Sequence, residues 1–226
     1  MVIQMKKSSL EDLKQLSSPL SREELSEGEL ALILIDMQYN ITAQGQGVLK
    51  YAKELGVREG YEYYYNRIQN HIIPNIQRLL KKFRETKKMI VFTKIRSYSF
   101  KSEGDEKDKN DNSFNDLDDN EGVILNELRP MNDEVVITKD DPDIFQGTGL
   151  DALLREDGIN TLIMAGVLTN ECVEASVIQA CENEYRVVLV EDSTAAFSKA
   201  IHEKALDLIQ NKDVIITSTE DIINLL

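Results

Sequence analysis

A chain of 226 residues, 42% of them hydrophobic, can bury the core of one α/β domain, or at most of two small ones. A formal net charge of −14 argues against a nucleic-acid or anionic-membrane partner, because phosphate binding needs a basic face. The two cysteines, Cys172 and Cys181, point to opposite sides of one predicted helix at about 100° per residue, so no disulfide framework exists and a reducing cytosol is the expected compartment.

Residues 1–28 are polar and mixed in charge, and Ser8–Glu11 and Ser21–Glu24 both resemble capping boxes. They are read as an extension packed on a single domain spanning 29–226. No apolar run approaches the ~20 residues of a membrane span, and no signal-peptide core opens the chain.

The unbroken apolar run Ala31–Ile35 predicts a parallel strand buried on both faces. It ends in Asp36-Met37-Gln38-Tyr39-Asn40, where a carboxylate directly after a strand is either a catalytic group or a loop cap. Residues 41–60 read as loop. Tyr61, Tyr63, Tyr64 and Tyr65 then open a long helical pattern with Ile68, Ile72, Ile76, Leu79, Leu80 and Phe83 on its core face. The tyrosines are read as packing, with a pocket wall or an oligomer interface as alternatives. Pro74 predicts a kink or a restart, and His71, with no second histidine near it, is read as structural.

Met89–Thr93 is the second predicted strand, followed by Lys94-Ile95-Arg96-Ser97-Tyr98. Residues 101–121 are strongly polar and read as a surface loop or lid, since the spacing of their acids does not match an EF-hand. Glu134–Thr138 is the third strand and ends in Lys139. Thr148 predicts the cap of a short helix through Arg155, closed by Gly158. Thr161–Ala165 is the fourth strand, Val187–Val190 the fifth and Val214–Thr217 the sixth. A helix near Lys199–Gln210 places Ile201, Ala205, Leu208 and Ile209 on its core face, which leaves His202 at the surface. Alternating strands and helices predict an α/β fold with a parallel sheet.

The fourth strand runs into Gly166-Val167-Leu168-Thr169-Asn170-Glu171-Cys172-Val173. Gly166 permits a tight turn, and the apolar spacing after Cys172 starts a helix with that cysteine in its first turn. Unpaired N–H groups and the helix dipole favour a thiolate there, so a lowered Cys172 pKa is expected. Asp36, Lys139 and Cys172 each stand at or just past the carboxyl end of a predicted strand, and such ends converge at one edge of a parallel sheet. A base, a cation and a thiol are what a cysteine hydrolase requires.

Ile33–Gln38, Thr138-Lys139 through Leu150, and Ala165–Val173 together resemble the three signatures of the isochorismatase-like cysteine hydrolases, over residues 29–226. The resemblance implies a three-layer α/β/α fold with a six-stranded parallel sheet in the order 3-2-1-4-5-6. It implies Asp36 as general base, Lys139 as its cationic partner and Cys172 as nucleophile. It also implies a cis peptide between Val167 and Leu168, with the N–H groups of Leu168 and Cys172 forming an oxyanion hole. The nicotinamidase branch of that family binds metal through histidines after the second strand, where this chain has Arg96-Ser97-Tyr98. The metal-free branch is therefore expected, with no metal and no cofactor.

The expected activity is cleavage of a C–N bond in a small amide, ureide or carbamoyl compound. The alternatives are a non-catalytic or redox-sensing member and a vinyl ether hydrolase. Tyr39, Asn40 and Phe145 are candidate pocket walls. Arg96 is a candidate clamp for a substrate carboxylate, or else a partner for an acid of the 101–121 loop. The expected state is a cytoplasmic homo-oligomer, dimer or tetramer, that acts on a small molecule.

Overall fold

The computed structural model describes residues 29–44, 58–96, 122–212 and 214–226. The expectations for residues 1–28 and for the 101–121 loop lie outside the described residues. Six strands form one sheet in the order β3-β2-β1-β4-β5-β6. They are β1 (Leu30–Ile35), β2 (Met89–Ile95), β3 (Val135–Lys139), β4 (Thr161–Val167), β5 (Arg186–Ala195) and β6 (Ile215–Thr217), and every pairing is parallel. The two central strands, β1 and β4, are buried along their whole length, as their continuous apolar sequences require. The chain steps outward from β1 to β3 and then outward the other way from β4 to β6. Right-handed crossovers place the two sets of helices on opposite faces.

The helices are a single turn α1 (Tyr39–Thr42), the long α2, α3 (Leu150–Glu156), α4 (Glu174–Glu182), α5 (Lys199–Gln210) and α6 (Thr219–Leu225). α2 runs as Arg58–Arg67, a π turn at Ile68–Ile72 and Ile73–Glu85. Pro74 stands in the first turn of the last segment, where the α-helix restarts after the π turn, as expected. Its ring removes a donor and excludes the carbonyl four residues back, and the wider π turn directly upstream accommodates both.

The fifth strand is longer than Val187–Val190. It continues through Glu191-Asp192 to Ala195, and after a register shift Thr194 and Ala195 pair with Gly166 and Val167. Thr148 does not cap α3 from the N-cap position, which Gly149 occupies. Its hydroxyl accepts from Leu150 N at 3.3 Å and donates to Ile144 O at 2.6 Å. Gly158, at φ 70°, closes α3 in the left-handed region as expected.

Gly166 decides how closely the central strands approach. It pairs with Ile35, and a Cβ there would overlap the Ile35 carbonyl oxygen and lie 2.6 Å from the Ile35 nitrogen. Its φ of 122° is also closed to side chains. The next residue after Ile35 is Asp36, so this glycine sets the contact on which the site is built.

Candidate functional site

Asp36 leaves β1 with φ 54°, a left-handed conformation that few non-glycine residues adopt and that Asp tolerates better than most. Its backbone N–H donates to Thr93 O on β2 at 3.2 Å. Its side chain is fully buried, and Oδ1 accepts from Thr93 Oγ1 at 2.8 Å. Oδ2 lies 2.7 Å from Lys139 Nζ without the alignment of a hydrogen bond. Lys139 ends β3 and is equally buried, and its ammonium donates to the carbonyls of Asp141 at 3.0 Å and Pro142 at 3.1 Å. Two neighbouring strands thus deliver Asp36 and its Thr93 partner, and the next strand out delivers the cation.

Cys172 comes from the other side of the sheet centre. After β4 the Val167–Leu168 peptide is cis, and a π turn at Thr169–Val173 leads into α4. The Leu168 side chain is buried, and its carbonyl accepts from Glu171 N at 3.1 Å and Val173 N at 3.2 Å, which ties down the turn that carries the thiol. Ser176 Oγ donates to Cys172 O at 2.5 Å and accepts from Ile144 N at 3.3 Å, joining this turn to the segment after β3. The thiol feels the charges of both Asp36 and Lys139, which places the three groups together.

The expected lowering of the Cys172 pKa is overturned. Burial pushes the thiol well above the usual cysteine range, the Asp36 charge adds to this, and Lys139 opposes it. With 1% of its surface exposed, Cys172 lies where desolvation outweighs the helix N-terminus. The resting group is a thiol that needs a base.

The proposed pocket residues separate. Asn40 is buried on α1 above the same edge, with Oδ1 unpartnered. Tyr39 is half-buried and its hydroxyl accepts from Asn126 N at 3.2 Å, which pins the segment after residue 122. Arg96 lies just beyond β2, and its side chain is 67% exposed and pairs with Asp140 at 3.2 Å, while the alternative of a partner in the 101–121 loop lies outside the described residues. Phe145 stacks on Tyr185 with ring centroids 5.8 Å apart. Tyr185 immediately precedes β5, at the amino edge of the sheet, and with Phe145 drawn toward it that ring borders a surface groove beside Gln146 and Gln179. The structure does not bring Phe145 to the cluster.

Several residues at this edge have no obvious signal in the sequence. Gln38 is fully buried; its amide donates to Ile95 O and Gly122 O, both at 3.1 Å, and accepts from Ile95 N at 2.8 Å, locking the exits of β1 and β2 together. His202, expected at the surface, is only 4% exposed. Its Nδ1 lies 2.8 Å from Thr169 Oγ1 and its Nε2 lies 3.1 Å from Arg67 Nη2. α5 buries His202, Ala205 and Ile209 and exposes Ile201 and Leu208, so its inner face is turned by one residue from the expected one. Among the described residues, no three His, Cys, Asp or Glu side chains form a group able to hold a metal ion. No helix among them is long and apolar enough to cross a membrane.

Residues 30–221 match the isochorismatase domain. The chain belongs to the isochorismatase family. Ureidoacrylate amidohydrolase RutB of Agrobacterium fabrum is 35% identical over 92 residues, which are 41% of this chain and 37% of that protein. Across this and two other curated isochorismatase-family relatives, both from Bacillus subtilis, the matched stretch covers from 37% to 63% of their length. A cysteine hydrolase from Pseudomonas syringae pv. phaseolicola shares the fold with a TM-score of 0.71 at 23% identity, covering 92% of this chain and 97% of that one. N-carbamoylsarcosine amidase from Thermoplasma acidophilum does so at 0.60 and 19%, covering 84% and 96%. The isochorismatase-family sheet order is the one the sequence resemblance implied.

Proposed function

We propose that this isochorismatase-family chain is a cysteine hydrolase that cleaves a C–N bond of a small amide, ureide or carbamoyl compound through an acyl-enzyme on Cys172. The observation that carries the reading is the dry ion pair of Asp36 and Lys139, 2.7 Å apart with both side chains fully buried, beside a protonated thiol. Burying such a pair is costly to stability and is expected where chemistry needs it. The names of the relatives, an amidohydrolase and an amidase, point to the same class of bond.

Asp36 is held by Thr93 through one oxygen, and the other is left for the thiol. As Cys172 attacks the substrate carbonyl, its proton passes to Asp36. The carbonyl oxygen gains the negative charge, which the N–H groups of Leu168 and Cys172 are the candidates to hold. Asp36 returns the proton to the departing nitrogen, the C–N bond breaks, and ammonia or an amine leaves. Water then gives a proton to Asp36 and attacks the thioester or thiocarbamate. The proton returns to sulfur and the acid is released. The buried, protonated state of Cys172 disfavours a redox sensor, whose thiol must be exposed and ionised.

The test is a colorimetric ammonia assay over simple amides and ureides, with intact-mass analysis of quenched reactions. Turnover by the wild type, an adduct on Cys172 and no turnover by Cys172→Ala are expected. A Cys172→Ala variant that keeps activity would refute covalent catalysis.

A further inference from the structure

Four buried side-chain atoms among the described residues lack a hydrogen-bond partner: Asp36 Oδ2, Asn40 Oδ1, Tyr64 OH and Asn170 Oδ1. Native proteins leave few such atoms, and each calls for an explanation. Here they gather at the carboxyl edge of the sheet. Asp36 and Asn40 follow β1, and Asn170 lies in the turn that bears Cys172. Tyr64 reaches the same edge from α2. Its ring meets Phe197, two residues beyond the end of β5, at 4.9 Å. Arg67, one helical turn on, donates to Thr194 O at 3.0 Å and Glu191 O at 3.1 Å in the last part of β5. Tyr64 is fully buried, and its hydroxyl is held in the protonated form by burial and by the nearby Glu171 and Cys172.

We propose that Tyr64 is a substrate-reading residue, and that with Asn40 and Asn170 it receives an uncharged, N–H-bearing end of the substrate, such as a carboxamide or ureido group. Asn40 and Asn170 present oxygens that accept and Tyr64 a hydroxyl with a proton to donate, so their complement carries N–H donors beside a carbonyl oxygen, as a carboxamide or ureido group does. The nearby cations are committed elsewhere. Lys139 serves Asp36 and two carbonyls, Arg67 serves Thr194, Glu191 and His202, and Arg96 faces Asp140 at the surface. A carboxylate in this position would meet Glu171 and none of these cations. The inference rests on the hydrolase reading above and replaces Arg96 as the group that selects substrate.

The test uses a matched pair, N-carbamoylglycinamide and N-carbamoylglycine, which differ in a carboxamide against a carboxylate. The wild type should favour the neutral member in kcat/KM by about 10-fold or more. Tyr64→Phe should lower kcat/KM for the neutral member by about 10–100-fold, as expected when a site built to hydrogen-bond its ligand loses one partner. Its melting temperature should hold or rise, because the variant only removes an unpartnered buried hydroxyl. A Tyr64→Phe enzyme of full activity, a loss of activity matched by a loss of melting temperature, or a preference for the carboxylate each overturns the inference and leaves the hydrolase reading standing. A wild type that turns over other amides or ureides of the ammonia assay but neither of this pair overturns the inference alone, and one inactive on all of them overturns both.

Discussion

His202→Leu removes a buried imidazole that joins three elements: Arg67 of α2, His202 of α5 and Thr169 at the start of the Cys172 turn. The direction of the bonds follows from the donors. Arg67 can only donate, so Nε2 accepts, and a neutral ring must then donate from Nδ1 to Thr169. Burial, and then the charge of Arg67, lowers the His202 pKa to about 4, so the ring is neutral in the folded protein near pH 7. In the variant the Thr169 hydroxyl, fully buried, loses its partner, at a cost of ~1–3 kcal/mol. Arg67 keeps its bonds to Thr194 and Glu191, so its share is smaller, ~0.5–1 kcal/mol. A sum of about 2–4 kcal/mol lowers the melting temperature by roughly 5–15 °C in a chain of this size. Thr169→Val in the same background should recover much of this, because removing both partners of a buried hydrogen bond is nearly neutral. The pH dependence has a definite sign. Between the unfolded pKa of 6.5 and the folded value of about 4, the unfolded chain binds the extra proton. The stability His202 contributes is thus complete above pH ~6.5 and declines as pH falls toward 4, by about 2–3 kcal/mol after allowance for residual solvation. Thermal melts of wild type, both single variants and the double variant from pH 7.5 to 4 measure all of this. Strictly additive losses, or an acid-side decline in His202→Leu as steep as in the wild type, would refute the relay.

Iodoacetamide should modify Cys181 before Cys172 in the unliganded protein, since Cys181 is partly exposed and the Cys172 thiol is buried and protonated; mass mapping that finds Cys172 first would show a resting thiolate. Gly166→Ala should cost more than ~3 kcal/mol or prevent folding, because the new methyl strikes the Ile35 backbone in a conformation closed to alanine; a well-folded variant within 1 °C of wild type by calorimetry would contradict that packing.

The sheet was legible because its strands carry continuous apolar runs, longest in β1 and β4 and shorter in β2 and β5. Asp36, Lys139 and Cys172 could be assembled because each lies at or near a strand end, where topology alone brings residues together. What failed was reasoning about side-chain environment. His202, Ala205 and Ile209 satisfy helical spacing as well as Ile201, Ala205, Leu208 and Ile209 do, and assuming a polar residue faces out selected the wrong face. The histidine is buried because two partners from distant elements satisfy it, and no local pattern reports such partners. Phe145 failed in the same way. Its proximity in sequence to Lys139 suggested the site, but its ring stacks on Tyr185.

In the proposed mechanism the raised Cys172 pKa also defines what Lys139 would do. Moving the thiol proton to Asp36 exchanges one anion beside Lys139 for another, so the buried cluster keeps its net charge through the step. Ionising the thiol with Asp36 still charged would place two anions against one cation in a dry site, which burial penalises heavily. Lys139 is therefore needed in both states, and the two carbonyls of Asp141 and Pro142 hold it while its anionic partner changes. Lys139→Met leaves Asp36 as a buried, uncompensated charge and should cost about 3–5 kcal/mol. Asp36→Asn leaves Lys139 with its two carbonyls and lets the new carboxamide keep the Thr93 bond, so it should cost less, about 1–3 kcal/mol, while abolishing turnover. The double variant Asp36→Asn/Lys139→Met has no buried charge to neutralise, and chemical denaturation should find it ~2 kcal/mol or more above Lys139→Met alone. All three variants should be inactive. If the double variant is no more stable than Lys139→Met, the lysine acts by packing its stem rather than by compensating Asp36, and the electroneutral exchange fails with it.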